Sequence, residues 1–154
     1  MKALSSAQLK KMAKLAATAR DNAYCPYSNH PVGAAILTEG GKIFAGSNVE
    51  VAHYKGVCAE ASAISAMCSA GGRKIKAVVV VGPTMKYLCT PCGDCRQRIR
   101  EFAEDGAIVY SMWKDGSLGE AHAFADLLPH SFGPENVSEV AAAPKKNHQK
   151  KKKK

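Results

Sequence analysis

Four residues in two short segments could do chemistry together: Cys58 and Glu60 in CAE (58–60), and Cys92 and Cys95 in PCGDC (91–95). Three thiolates suit zinc, which takes sulfur ligands at about 2.3 Å in a tetrahedron; a catalytic site uses three protein ligands and leaves the fourth position for water. Cys58, Cys92 and Cys95 make that set, for one zinc ion per chain. Glu60 lies two residues beyond its nearest ligand, so it can act on the water as a general base without binding the metal. The CxxC pair alone would also fit a redox couple or half of a structural zinc site, which wants a fourth Cys or His. Cys89 is the one nearby candidate, and it reads as a buried strand-end thiol.

Positions three apart share a helical face, so Cys92 and Cys95 converge if the chain is helical after Thr90. Thr90 suits an N-cap and Pro91 a first helical position, which predicts a helix over 91–104. A second helix is expected over 58–70, opened by Cys58 and stopped by Gly71 and Gly72. Helix N-termini carry partial positive charge, which favours thiolate over thiol at both places. The alternation of Ala and Ser along 58–70 implies a close neighbour, for which a second subunit is a candidate.

Elsewhere, Ser5 with Gln8 can form a capping box, and Leu9, Met12, Ala16, Ala19 and Ala23 then line one helical face. Segments 32–37 and 43–46 flank the turn residues Glu39, Gly40 and Gly41 and predict an antiparallel hairpin. The β-branched run 75–81 predicts a central strand covered on both faces. With the helix over 91–104 and a strand over 107–112 it makes a βαβ unit, hence parallel pairing. A short strand near Leu118 and a helix over 123–128 complete an α/β chain, expected as a three-layer α/β/α sandwich on a mixed five-stranded sheet.

The chain has 154 residues, 22 basic and 13 acidic, with net charge +9. Seven of the basic residues, Lys145, Lys146 and Lys150 to Lys154, fall in the last ten positions. The remainder is nearly neutral, which argues against a basic groove for nucleic acid on the folded body. We therefore expect one catalytic domain over 1–140 and a disordered Lys-rich tail over 141–154. The tail could serve as a nuclear address or make weak contact with nucleic acid. No apolar run approaches the roughly 20 residues that span a bilayer. No signal-type segment precedes the first helix, which predicts a cytoplasmic chain with reduced thiols.

Beyond the zinc motif, AYCPYS (23–28), PVGAA (31–35), NVE (48–50), PCGDCRQ (91–97) and LLPHSFGPE (127–135) are family-like segments. Over about residues 5 to 137 the chain resembles the small homotetrameric zinc-dependent cytidine deaminases. The resemblance implies hydrolytic deamination of cytidine or deoxycytidine in pyrimidine salvage, with active sites shared between subunits of a homotetramer. It also implies that Asn48 and Glu50 hold the ribose 3′-hydroxyl and that Ala52 and Tyr54 reach the nucleoside of a neighbouring subunit. Phe132 would cover the base from another protomer, with a core-anchoring role as the alternative. Glu60 would take a proton from water, pass it to N3 of the pyrimidine and help protonate the departing ammonia.

Two positions depart from the pattern. Three-cysteine relatives usually read CAER, the arginine donating to the ligand thiolates, whereas this chain has Ala61. Relatives commonly carry phenylalanine against the pyrimidine where this chain has His30, which can still stack but adds a hydrogen-bonding edge. These departures raise a modified cytosine nucleoside such as blasticidin S as an alternative substrate. A nucleic-acid-associated deaminase using the Lys-rich tail, and a zinc-bound scaffold without activity, are the further alternatives. Helix N-termini offset part of the missing charge, and Arg96 is close in sequence. His53, His122, His130 and His148 read as surface or packing residues, and Cys25 and Cys68 as buried apolar groups.

Overall fold

The computed structural model describes residues 3–141. From residue 142 onward the expected Lys-rich tail, and His148 with it, lies outside the described residues. The elements run α1 (Ser6–Asp21), β1 (Gly33–Thr38), β2 (Ile43–Ser47), α2 (Ala59–Ser69), β3 (Ile75–Val81), α3 (Gly93–Phe102), β4 (Ala103–Met112), β5 (Leu118–Ala123), α4 (Phe124–Leu127) and α5 (Pro134–Ala141). The five strands form one sheet in the order β2-β1-β3-β4-β5. Only β3 and β4 pair in parallel, joined through α3, and the other neighbours are antiparallel. The expected mixed five-stranded α/β sheet is thus the fold observed.

The two faces of the sheet are built by strand alternation. Ala35, Leu37, Ala77, Val79 and Val81 point to the face covered by Met12, Ala13 and Ala16 of α1. Ile36, Val78, Val80 and Val109 point to the other, against Ala63, Ile64 and Met67 of α2, Ile99 of α3 and Phe124 of α4. Because both faces are covered, β3 is apolar at every position from Ala77 to Val81, and each fully buried valine there contributes on the order of 1.5 kcal/mol or more. The Ser5–Gln8 capping box opens α1 as expected, with Gln8 N donating to Ser5 Oγ. Ala23 does not join the apolar face, since α1 ends at Asp21.

Two glycines set how closely the helices seat on the sheet. A Cβ at Gly33 would lie 1.9 Å from the Ala16 carbonyl oxygen of α1. A Cβ at Gly46 would lie 2.4 Å from Ala63 N and 2.6 Å from Ala59 O, both backbone atoms of α2. The close neighbour implied by the small residues of α2 is therefore β2 of the same chain at Ala59, Ser62 and Ala63. Ser62 Oγ completes the seam by donating to Ser47 O at 3.0 Å.

The largest differences from expectation lie at α3, β4 and α5. Helix α3 starts at Gly93 with Cys92 as its N-cap, not at Pro91 after Thr90. The Pro91 carbonyl is taken by the Arg96 side chain, and the first backbone bond of the helix runs from Arg96 N to Cys92 O. Strand β4 begins four residues early because Ala103 pairs with Ile75, after which the register shifts past Gly106 at φ 81°. Helix α5 was not anticipated, although Pro134 at its first position and Glu135 in its first turn are ordinary start signals.

Candidate metal centre and active site

The two halves of the motif arrive on two helix starts. Cys58 is the N-cap of α2, with Glu60 in its first turn; Cys92 is the N-cap of α3, with Cys95 three residues on. The three sulfurs lie within 4.8 Å of one another. Cys58 Sγ and Cys92 Sγ are 3.8 Å apart, the separation that two ligands at about 2.3 Å from a tetrahedral centre require. Geometry and donor chemistry both fit zinc. Cys95 is fully buried, whereas Cys58 and Cys92 meet solvent, so the centre opens on one side.

Glu60 is 4 % exposed, a carboxylate almost wholly removed from water, and burial raises its pKa. Its Oε2 accepts from Cys95 Sγ at 3.3 Å. A base held this way is stronger than a solvated glutamate, and its conjugate acid survives nearer to neutrality. The thiols are shifted too. Burial raises Cys58 and Cys95, and the neighbouring Glu60 and cysteines push Cys95 up further. Without a cation these groups hold their protons, so metal capture must displace them.

Cys58, Glu60 and Cys92 form the floor of a cavity of about 410 Å³. Its walls include His30, Asn48 and Glu50, together with Ser28, Val32, Cys89 and Thr90. Three residues expected from the sequence to contact substrate therefore share one pocket with the metal ligands. Ala52, Tyr54 and Phe132 do not line it. Ala52 is exposed, Tyr54 is 85 % exposed and packs its ring 6.1 Å from that of Tyr27, and Phe132 is 64 % exposed. The core-anchoring alternative for Phe132 is thereby excluded.

Asn48 and Glu50 are fixed by the loop that faces them. Asn48 Nδ2 donates to His30 O at 3.0 Å, and Asn48 Oδ1 accepts from Val32 N at 2.8 Å. Glu50 Oε2 accepts from Tyr27 N and Ser28 N, and its Oε1 accepts from Ser28 Oγ. These bonds, led by the Ser28 hydroxyl, hold the Glu50 carboxyl below the usual range and therefore ionised. Glu50 Oε2 already accepts two bonds, but Oε1 accepts one and keeps a second lone pair, and the Asn48 amide has a second N–H, to meet a ligand hydroxyl.

Arg96 does not stand in for the missing arginine. Its Nε donates to Pro91 O at 2.8 Å and its Nη1 to Leu127 O at 2.9 Å, so the guanidinium braces loops rather than thiolates. Ala61 is buried and apolar, and Asp94 is paired with Arg98. The two helix starts bring positive potential to the sulfurs, and the Arg98 guanidinium, though paired with Asp94, adds to it at Cys95 and Cys58. Cys89 lies outside the metal-ligand group and is half-buried, its thiol pushed up to about 11 by desolvation. Cys25 and Cys68 are half-buried rather than buried. His53 and His130 are exposed, and His122 pairs with Glu120 at 3.0 Å. Ser28, which braces Glu50, has no spacing signal that points to that role. Among the described residues no helix is long and apolar enough to cross a membrane.

Residues 6–112 match the model of the cytidine and deoxycytidylate deaminase zinc-binding region. A cytidine deaminase of Sporosarcina psychrophila is 43% identical over 124 residues, covering 80% of this chain and 90% of the relative. One from Halalkalibacterium halodurans is 37% identical over 127 residues, covering 82% and 95%. The crystal structure of cytidine deaminase from Burkholderia pseudomallei superposes with a TM-score of 0.74 at 36% identity, covering 84% of this chain and 100% of that one. That of the Mycobacterium tuberculosis cytidine deaminase gives 0.69 at 31% identity, covering 80% and 95%.

Proposed function

This chain belongs to the cytidine and deoxycytidylate deaminase family, and from that premise we propose that it hydrolyses cytidine or deoxycytidine to the uridine form and ammonia. The observation that carries the reading is a buried glutamate beside three convergent cysteine sulfurs on the floor of a pocket of nucleoside size. Cys58, Cys92 and Cys95 hold the zinc, which when bound supplies Lewis acidity that makes water a usable nucleophile near neutral pH. Glu60 takes a proton from the attacking water and delivers it to N3 of the pyrimidine. The water oxygen bonds to C4. Glu60 then takes the remaining proton from the C4 hydroxyl and passes it to the amino group, so that the C4–N bond breaks, ammonia leaves and the C4 carbonyl forms. Proton transfer by a positioned group of this kind contributes roughly 10²- to 10⁴-fold.

His30 stands against the base, and Asn48 and Glu50 receive the ribose 3′-hydroxyl, Glu50 as an ionised acceptor. Ala52, Tyr54 and Phe132 serve a neighbouring protomer in a homotetramer; the wide exposure of both aromatic rings supports this. Catalysis belongs to the domain over 1–140, in a cytoplasmic enzyme of pyrimidine salvage. The test is a deamination assay of the zinc-loaded protein on cytidine, deoxycytidine, blasticidin S and a cytosine-containing oligonucleotide. Turnover of the first two is expected, and it should persist in a chain ended after Ala141, which keeps all of α5. Turnover of the oligonucleotide or of blasticidin S alone would overturn the reading.

A further inference from the structure

The loop between β3 and α3 carries an exposed aromatic residue that neither the motif nor the mechanism uses. Tyr87 is 56 % exposed, yet its ring lies parallel to the imidazole of His30, with an interplanar angle of 2° and centroids 6.3 Å apart. That separation falls in the range of offset-stacked aromatic pairs. The loop is pinned on both sides of the contact. Next to Tyr87, the Leu88 side chain packs on β5 so closely that a Cβ at Gly119 would meet it at 2.2 Å. Cys89 packs against Gly82 in the same manner, with 2.6 Å to a Cβ there. Lys86 N donates to Thr84 Oγ1 at 3.0 Å.

The backbone of His30 is held as firmly from the opposite loop. His30 N donates to Ser28 Oγ at 3.1 Å, and His30 O accepts from Asn48 Nδ2. What the backbone bonds leave free is rotation of the imidazole itself, and Tyr87 is the ring that lies parallel beside it in an offset arrangement. His30 itself lines the pocket, whereas Tyr87 does not.

We infer that Tyr87 is a positioning residue for base recognition, acting through His30 by holding its imidazole as a fixed wall of the pocket. The inference rests on the deaminase reading and adds to it a residue outside the pocket lining. It links specificity to the loop that leads into Cys92, so the wall for the base and a metal ligand are set by one segment.

The experiment is a double-mutant cycle on the zinc-loaded enzyme with Tyr87→Leu, Tyr87→Phe, His30→Ala and the pair His30→Ala with Tyr87→Leu. Equilibrium binding of uridine by calorimetry accompanies the cytidine kinetics. Tyr87→Leu should raise KM for cytidine and Kd for uridine roughly 3- to 10-fold, with kcat changed less than twofold. Tyr87→Phe, which keeps the flat ring, should restore native values. In the His30→Ala background, Tyr87→Leu should have no further effect. An equal loss in both backgrounds, an unchanged Kd, or a loss in kcat alone would overturn the inference. Because the binding arm does not need turnover, inactivity of the native chain would count against the deaminase reading without deciding the role of Tyr87. Tyr87 is exposed, and a thermal melt matching the native protein separates the effect from misfolding.

Discussion

Gly46→Ala tests whether the seam between β2 and α2 sets the geometry of the metal centre. The added Cβ would sit 2.4 Å from Ala63 N, where ordinary contact begins at 3.4 Å, so helix and strand must part by about 1.0 Å. The opposing atoms at Ala63 N and Ala59 O are backbone and cannot rotate away. Overpacking of this kind costs about 1–3 kcal/mol, which for a domain of this size lowers Tm by roughly 2–12 °C. The larger consequence is positional. Helix α2 carries Cys58 and Glu60, whereas Cys92 and Cys95 stand on α3, so retreat of α2 moves half of the site against the other half. A misplacement near 1 Å costs on the order of 10²-fold in rate. The assay is kcat for cytidine at full zinc occupancy, with metal content measured on the same sample and a melt beside it. Gly40→Ala is the control, because its Cβ would meet nothing nearer than Thr38 Oγ1 at 4.0 Å. Native melting and native kcat in Gly46→Ala would refute the claim that this seam positions the site.

Glu60→Gln should retain zinc and fold while kcat falls by roughly 10²- to 10⁴-fold, read from metal content and steady-state rates; a near-native rate removes Glu60 from the chemistry. The same substitution has a stability signature in the metal-free protein. Burial raises the folded-state pKa of Glu60 above its ordinary 4.5, so the folded chain binds more protons there and loses stability as pH rises from 4.5 through the raised value. Metal-free Glu60→Gln should therefore melt higher than the native chain at pH 7, and the gap should close toward pH 4.5. Zinc affinity should rise with pH between 6.5 and 8.5 in chelator competition, because Cys58 and Cys95 hold their protons above the ordinary thiol range; a flat profile would mean the thiols are already ionised. Ser111→Ala should be neutral or stabilising by about 1 kcal/mol in a denaturant titration, since Ser111 Oγ is buried and has no hydrogen-bond partner among the described residues; a clear loss would reveal a partner.

Local patterns were legible wherever neighbours in sequence are partners in space. The Ser5–Gln8 box, the apolar β3 and the spacing of Cys92 to Cys95 all concern residues within one turn or one strand. Thr90 and Pro91 misled because their start signal is genuine in isolation; a side chain five residues on, Arg96, claims the Pro91 carbonyl and delays the helix. The direction of Arg96 toward Leu127, 31 residues away, could not be read from the chain at all. Asn48 and Glu50 were found through the resemblance. Their bracing of the 27–32 loop appears only in three dimensions, because Tyr27 and Glu50 are 23 residues apart. The stacking of Tyr87 on His30 joins two loops on different strands and leaves no periodic trace in the sequence.

The sheet order β2-β1-β3-β4-β5 also makes the metal centre a tie between parts of the chain that are distant in sequence. The first cysteine belongs to the helix that follows the β1–β2 hairpin, and the other two to the helix between β3 and β4. These halves touch through the antiparallel pairing of β1 with β3, whose partners Leu37 and Ala77 are 40 residues apart in the chain. Closing a loop of that length precedes any contact that rewards it, so the halves of the site meet through a non-local pairing. Cys92 and Cys95 share one segment, but the third donor, Cys58, joins them only across this seam. A divalent ion held by all three sulfurs therefore ties the two halves together and stabilises the closed seam over its open form.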